Sequence, residues 1–546
     1  MVSQTMAFKY DTALATIIYI LVTLLYFYPY LSSFSSYLIG PPEDNIKYLW
    51  NIWWGYKAFF GSDASLTFSN YIFYPEGSSL LYNDYSWYNL IISFPLKKFF
   101  TLPAVYNLLI LHSFLIAGLG TFLLIRYLTG NSIAAITGGL IFAFNPSHIV
   151  HSLHHINIAS IQFIPFFILC FIKSIKQNSK RQLLLASLFF LLNAACDWNY
   201  MIFNIYFILF SYIYLACRRK KILLKDVIIK SSVIISSTVI VFSPWIYQMI
   251  LLSFKGLVSN SGGGYNTYVA DILTLITPFK LHLLSGSKFI EKINTMCTGN
   301  YWENTAYLGM ANIVICLIFL RRLRKEAIVY IAGFLVFVVI SMGTFVHFAG
   351  NSLPVILPYS VVKYIPLLLN ARAPSRLIVL AYLFFAIITS YSYTYLIKTT
   401  SDSLKRAAIV FLLYAIIIAD YYPANYYKTE VTSPECYNVI DRGKTDAILD
   451  LPGGWVNDKQ YMMYQTFHEI PIVGGTIPRK IGYSLQDNPD LMDLEKQKQQ
   501  LITNNIKYIV IHKNLITKVS SVDFTKYSQV YSVVYNDNSH IVLQTF

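Results

Sequence analysis

Runs of about 18 or more apolar residues, the length needed to cross a bilayer, recur along this chain. They fall near residues 12–34, 104–127, 132–146, 157–175, 182–196, 199–217, 231–252, 305–320, 327–347, 376–397 and 405–420. The third, fifth and eighth are short. The pattern predicts a mainly α, polytopic transmembrane protein of about eleven helices. Charge content agrees: only 13% of residues are charged, against about 25% in soluble domains. The first run is long enough to span and lacks a small-residue cleavage site, so it reads as a transmembrane helix and not as a removable signal peptide.

The net charge of +15 would suit a nucleic-acid binder if the basic residues faced one ligand. Their spacing says otherwise. With the N-terminus placed in the cytoplasm, the inside connections hold Lys9, Arg126, the Lys173/Lys176/Lys180/Arg181 cluster, Arg218-Arg219-Lys220-Lys221, Arg321/Arg322/Arg324/Lys325 and Lys398/Lys405/Arg406. Only Asp11, Asp226, Glu326 and Asp402 oppose them there. This is the positive-inside distribution, with membrane lipids as the partner and no nucleic acid. The six cysteines show no metal-ligand spacing, and a Cys297–Cys436 bridge is left open.

Odd parity then puts residues 421–546 outside, beyond a membrane domain covering residues 1–420. This tail is richer in charge and turn residues. Ala447-Ile448-Leu449 and Tyr508-Ile509-Val510-Ile511 read as buried strands, Val533–Tyr535 and Ile541–Gln544 as a hairpin, and Asp490–Asn504 as helical. A small extracytoplasmic α/β domain is expected. Leu451-Pro452-Gly453-Gly454-Trp455 and Gly474-Gly475 read as turns. No internal repeat is evident, which weighs against inverted-repeat transporters.

The first outside loop, residues 39–103, is long for a connector. Glu43-Asp44 stand just past the membrane exit, and Trp50, Trp53, Trp54 and Lys57 follow at helical spacing. That spacing predicts an amphipathic helix lying in the interface. An acid after Pro41-Pro42 serves equally as a helix N-cap or as a catalytic group. Farther along, Ser147–His155 carries four histidines. His148, His151 and His155 share a helical face suited to metal, yet no carboxylate sits in that loop to complete a shell. Hydrogen bonding to a sugar or phosphate through His151, His154 and His155 is preferred, and plain interfacial histidine is the third option.

Glu43-Asp44, Leu49–Trp54, Phe73-Tyr74-Pro75-Glu76-Gly77, Ala143-Phe144-Asn145-Pro146, Ala371-Arg372-Ala373-Pro374-Ser375-Arg376 and Gln465 through Gly475 stand in this order along the chain. Together with the topology, these segments resemble the GT-C superfamily of membrane glycosyltransferases. The resemblance implies an inverting glycosyltransferase, of hexosyl or pentosyl type, acting outside the plasma membrane. It would take a sugar from a polyprenyl-phosphate-type lipid donor and give it to a glycan, lipid or protein acceptor of the cell envelope. An acidic first-loop residue serves as base, a role that falls to Asp44 with Glu43 as rival or partner. A base that takes the acceptor's hydroxyl proton suffices for inversion. A second acid alongside is expected to raise its pKa.

A lipid-phosphate leaving group needs cations near the membrane surface. Arg372 and Arg376, at i, i+4 around Pro374, are the candidates, against simple snorkelling. Asp84, Glu303 and Trp54 are further substrate-contact candidates, with Glu303 beside Trp302 in an acid-plus-aromatic pattern suited to sugars. Asp197 is either functional or merely solvated. Gly262-Gly263-Gly264 suggests a mobile cover. No metal ligand set is assigned, and a divalent cation stays open as the only cofactor. A transporter or flippase of lipid-linked sugars is the alternative, disfavoured by membrane cores nearly free of charge.

Overall fold

A computed structural model describes residues 2–62, 64–255, 264–300, 302–319, 327–364, 372–480, 482–488, 491, 493–515 and 524–546. The Gly262-Gly263 pair and the Arg321/Arg322/Arg324/Lys325 cluster lie outside the described residues. Each of the eleven predicted apolar runs contains a helix. Five segments are long and apolar enough to cross a membrane singly: Phe8–Leu31, Leu102–Thr129, Trp198–Cys217, Lys221–Phe254 and Pro374–Thr399. A sixth is a bent pair, Ser132–Ala143 and Pro146–His154, angled by 41°. The rest are shorter, among them Met310–Phe319 and Ile328–Ser341. The run expected over 157–175 begins its main helix only at Ile164, after a short turn at Ile156–Ala159.

Composition sets which helices are central. In the first helix Ala15, Tyr19, Val22 and Tyr26 are buried, while Leu14, Ile17, Leu21, Leu24 and Leu25 are exposed. One stripe therefore faces the bundle and the other suits lipid. Tyr19 enters a niche that small residues open. A Cβ at Gly139 would lie 1.9 Å from its hydroxyl, and one at Gly118 2.9 Å from its ring. The Tyr19 hydroxyl donates to the Ile136 carbonyl at 3.1 Å. Such close approach through glycine is how helices pack where burial from water offers little drive.

The bend between Ser132–Ala143 and Pro146–His154 has a local cause. Pro146 lacks an N–H and cannot continue the preceding helix. Asn145 restarts it, its Oδ1 accepting from His148 N at 2.9 Å. The histidine helix is thereby turned out of line at one end of the bundle.

That end is roofed by residues 422–546. Ile448–Leu451, Tyr508–His512, His540–Gln544 and Ser532–Asn536 form a four-stranded sheet in that spatial order. The first pair is parallel and the others antiparallel, with a register shift at Val542/Leu543. The predicted strands, the hairpin and a helix over Leu494–Thr503 are all present. The segment after Gly453-Gly454 differs: it continues as a helix, Trp455–His468. Cys297 and Cys436 are both free thiols.

The first loop is stitched to this roof. Tyr37–Ile39 pairs antiparallel with Lys428–Glu430, and Phe73 and Tyr74 donate their N–H groups to the Gly474 and Ile472 carbonyls. Asp44–Phe60 is a helix, but it does not lie in the interface. Asn45 through Gly55 are all buried. Trp50 and Trp54 stack with centroids 5.6 Å apart, and Trp50 Nε1 donates to Gln465 Oε1 at 2.7 Å. The tryptophan spacing matches an amphipathic helix, but the apolar stripe packs against the Trp455–His468 helix of the tail instead of against lipid.

Candidate active site

The chain leaves its first helix, pairs briefly with the tail and turns into the Asp44–Phe60 helix. Glu43 occupies the N-cap position yet makes no side-chain cap bond. Asn45 Oδ1 accepts from Glu43 N and Ile46 N instead. Capping therefore does not account for the two acids. Both carboxylates face the histidine helix. Asp44 Oδ2 lies 3.1 Å from His155 Nε2, and Glu43 Oε2 lies 3.1 Å from His154 Nδ1.

The tail completes the first contact. Lys459, on the Trp455–His468 helix, places Nζ 2.6 Å from Asp44 Oδ1. Burial pushes the Asp44 carboxyl up, but the His155 bond and the charges of Lys47 and Lys459 outweigh it and hold it well below the usual carboxylate range. The expectation that a neighbouring acid raises this pKa is thus overturned: cations, not Glu43, dominate its surroundings. Glu43 is also lowered, chiefly by His154.

A second ion cluster adjoins the first. Glu303 receives a two-nitrogen grip from Arg376, through Nε at 3.1 Å and through Nη2. His151 Nε2 stands 3.8 Å from the same carboxylate, and the Ser375 hydroxyl lies 3.5 Å away. Burial raises Glu303, but Arg376 more than reverses this, so the side chain stays ionised. Trp302 lies against His154, with ring centroids 4.7 Å apart. Asp84 pairs with Lys47 at 2.9 Å, and that lysine is only 3% exposed. Asp197 is buried, not solvated. It accepts from Asn157 Nδ2 at 2.5 Å and from both nitrogens of Asn199 at 2.7 Å.

The carboxylate missing from the histidine loop comes from another loop. The ligand atoms of His151, His155 and Glu303 all lie within 4.8 Å of one another. Two imidazole nitrogens with one carboxylate suit a divalent transition metal. His148 takes no part in this set. Its ring stacks on Phe114 and bonds the Ala143 carbonyl and the Ser113 hydroxyl.

A family model described as a domain of unknown function, DUF6311, matches residues 15–421. The chain belongs to the DUF6311 family. By sequence, no curated protein is similar to it. By structure it is similar to the oligosaccharyltransferase of Archaeoglobus fulgidus. The AglB enzyme in complex with an inhibitory peptide and a dolichol-phosphate superposes with a TM-score of 0.50 at 13% identity, covering 96% of this chain and 73% of that one. The same organism's enzyme tethered to an acceptor peptide gives 0.51 at 11% identity, covering 98% and 74%. The fold is therefore that of GT-C multi-pass membrane glycosyltransferases.

In this DUF6311 chain Glu43, Asp44, His151, His154, His155, Glu303 and Arg376 come together, with Asp84 reaching them through Lys47. Trp54 does not join them: it is buried between Trp50 and Tyr71 and donates to the Ser65 carbonyl. Arg372 is exposed over the Tyr268 ring, apart from the acids. Its charge instead reaches Arg479, which stands over Tyr82. Sequence reasoning missed Lys47, Lys459 and Arg479. Lys47 could have been found, since it sits one helical turn after Asp44. The other two are tail cations, Lys459 next to Asp458 and Arg479 next to Lys480, with no recognised motif around them.

Proposed function

We propose that this protein transfers a sugar, with inversion, from a polyprenyl-phosphate-type lipid donor to an acceptor glycan, lipid or protein outside the membrane. The observation that carries this reading is the meeting of the first-loop acids with His154, His155 and Glu303, at the end of the bundle that the tail covers. Asp44 is the base. It is ionised and so able to accept the hydroxyl proton, but Lys459 and His155 weaken it. An acceptor hydroxyl entering beside Asp44 would compete with Lys459 for Oδ1, removing one of the cations that weaken the base. Glu43 orients His154 next to it.

The donor phosphate is held on the cationic side. Arg372 and Arg479 form no ion pair among the described residues, and two guanidiniums suit a phosphate. Arg376 offers only the nitrogen that Glu303 does not use. His151, His155 and Glu303 fit a divalent cation, which when bound would supply Lewis-acid stabilisation of the leaving phosphate. The orientation, with N-terminus cytoplasmic and tail outside, follows from the basic clusters.

The test uses purified protein with a radiolabelled polyprenyl-phosphate sugar and envelope acceptors. Asp44→Asn is expected to lower transfer at least ~100-fold, with a thermal melt that is lowered by loss of the Lys459 and His155 contacts but still cooperative. A well-folded Asp44→Asn protein with full activity refutes the assignment. Saturable lipid-sugar flux in proteoliposomes with no glycosidic product would favour a flippase instead. Chelation followed by add-back of Mn²⁺, Mg²⁺ or Zn²⁺ tests the cation, with loss and recovery of transfer expected.

A further inference from the structure

Two neighbouring pieces at the tail-covered end present exposed apolar side chains. The first is the hairpin of Phe345–Phe348 and Asn351–Ile356. All six residues of its second strand are exposed, with Leu353 at 40%, Val355 at 52% and Ile356 at 72%. The second is the Lys288–Met296 helix, in which Phe289 is 71% exposed and Met296 46%. At about 100° per residue Phe289, Ile293 and Met296 form one stripe, and Lys288 and Lys292 flank it. The two pieces adjoin: a Cβ at Gly350, in the hairpin turn, would meet the Met296 carbonyl oxygen at 2.2 Å.

Their level in the molecule is fixed by what holds them. Asp271, fully buried, accepts from Ala349 N and Gly350 N in the hairpin turn and from Thr298 N just past the helix. Its neighbour Ala270 donates its N–H to the Ser341 carbonyl, the last residue of the Ile328–Ser341 helix. His282 Nε2 lies 3.5 Å from Asp420 Oδ1, in the last turn of the Ser403–Tyr421 helix. Leu308, just before the Met310–Phe319 helix, donates its N–H to the Leu275 carbonyl. The segment is thus bonded to the tail-side ends of three apolar helices. It stands at the level where the bundle leaves the bilayer, and its exposed side chains point away from the bundle.

Sequence and backbone select the medium that meets this face. From Ala327 through Val362 the chain has no Asp, Glu, Lys or Arg. An edge strand in water is normally guarded by charge, and this apolar one is not. Pro354 stands within the outer strand and offers no N–H, so the edge is a poor template for a strand from a second copy. The edge's unpaired backbone groups equally exclude the hydrocarbon core. The headgroup boundary meets all three conditions. Apolar side chains reach acyl chains there, water reaches the backbone, and lysines beside an apolar helical stripe meet lipid phosphates.

We propose that the 345–356 hairpin and the Lys288–Met296 helix form a collar seated in the phospholipid headgroup boundary of the tail-side leaflet, with Lys288 and Lys292 on lipid phosphates. Asp271 gives this contact a consequence. One carboxylate holds both the hairpin turn and Thr298, in the turn that leads to Glu303, so the lipid contact and the Glu303 loop share one post. The lipid contact itself does not rest on the transferase reading.

The experiment places the full-length protein in lipid nanodiscs, where buffer meets both faces. In a Cys217→Ser background, which removes the exposed thiol, a nitrobenzoxadiazole fluorophore is attached at Val355→Cys or at Phe289→Cys. Both positions are exposed, so both variants should fold. A label at Lys444→Cys, in an exposed tail turn, is the aqueous control. Phosphatidylcholine with a nitroxide near the headgroup end of its acyl chain should quench both collar labels at least about twofold. Iodide should quench them at least about threefold less than the control. Adding phosphatidylglycerol should move the Phe289→Cys label further into lipid, and Lys288→Gln with Lys292→Gln should abolish that response. Iodide quenching equal to the control's overturns the proposal, because the face is then in water. Protection from both quenchers overturns it too, because protein then covers the face; a second copy is the cover if protection disappears in discs loaded with one chain each. A phosphatidylglycerol response that survives the double lysine variant overturns the lysine–phosphate contacts.

Discussion

Asp44 shows how much a single carboxylate depends on its company. Two acids in sequence suggested mutual repulsion and a raised pKa, yet Lys459 and His155 bind Asp44 directly and Lys47 adds its charge. Lys47 lies one helical turn from Asp44 and was within reach of the sequence, but Lys459 and His155 are far along the chain, so the full set of cations that sets the sign was not legible there. Lys459→Gln is expected to raise the Asp44 pKa by removing a cation. Because Asp44 starts well below the usual carboxylate range, wild type is expected to show no Asp44 limb between about pH 4 and 8. The upward shift is read by extending the pH–rate profile of both proteins down to the lowest pH at which they stay folded, and coincident profiles mean that Lys459 is not coupled to the base. Asp458 behaves in the opposite sense. Its folded-state pKa of about 7 exceeds the usual value near 4, so the folded protein holds this proton more tightly than the unfolded chain. The stability that proton confers is full below about pH 4 and is lost as pH rises through about 7. Asp458→Asn should remove that decline, amounting to no more than ~4 kcal/mol at about 1.4 kcal/mol per unit. Melting temperatures of both proteins across that range are the measurement.

At the scale of elements, the helices themselves were legible because each apolar run is long and continuous, but their packing partners were not. The Asp44–Phe60 helix has the aromatic spacing of an interfacial helix, and only a segment some 400 residues later reveals what covers it. That segment, Trp455–His468, was hidden because its average polarity and the preceding Gly453-Gly454 resemble a loop. Tyr461, Gln465 and His468 nevertheless recur at helical three-to-four spacing, within a run from Tyr461 to Gln465 that is buried on every side. Gln465 is the pin between the two helices, accepting from Trp50 and donating to the Tyr71 and Ile470 carbonyls at 2.5 and 3.0 Å. Trp50→Ala should cost about 3–5 kcal/mol, the usual range for emptying a buried aromatic site. Gln465→Leu should cost about 1–3 kcal/mol by leaving those groups unpaired. Both should loosen the roof, read as faster proteolysis of residues 422–546 while the membrane bundle stays intact. Equal proteolysis of wild type and variants would mean that the tail is held elsewhere.

Across the whole molecule, polar chemistry is sorted to two ends. Asp11 meets Arg126 and Ser132 at one end, where Lys230 also binds the Ser174 carbonyl and Asn178. The acids, histidines and tail gather at the other. The end-to-end sorting was readable from the basic clusters, since like charges on one side leave a mark in sequence. The pairing of Glu303 with Arg376 was not, because it joins two loops that neither spacing nor composition connects. The sorting also makes orientation testable with the native cysteines. Cys217 is the one exposed thiol, and it directly precedes Arg218-Arg219-Lys220-Lys221 at the basic end. A membrane-impermeant maleimide should therefore label inside-out vesicles and spare right-side-out ones. In a Cys217→Ser background, Lys444→Cys in the exposed Asp441–Lys444 turn of the tail should show the reverse pattern. Labelling of both sites from the same face would break the positive-inside assignment and, with it, the placement of Asp44 outside the membrane.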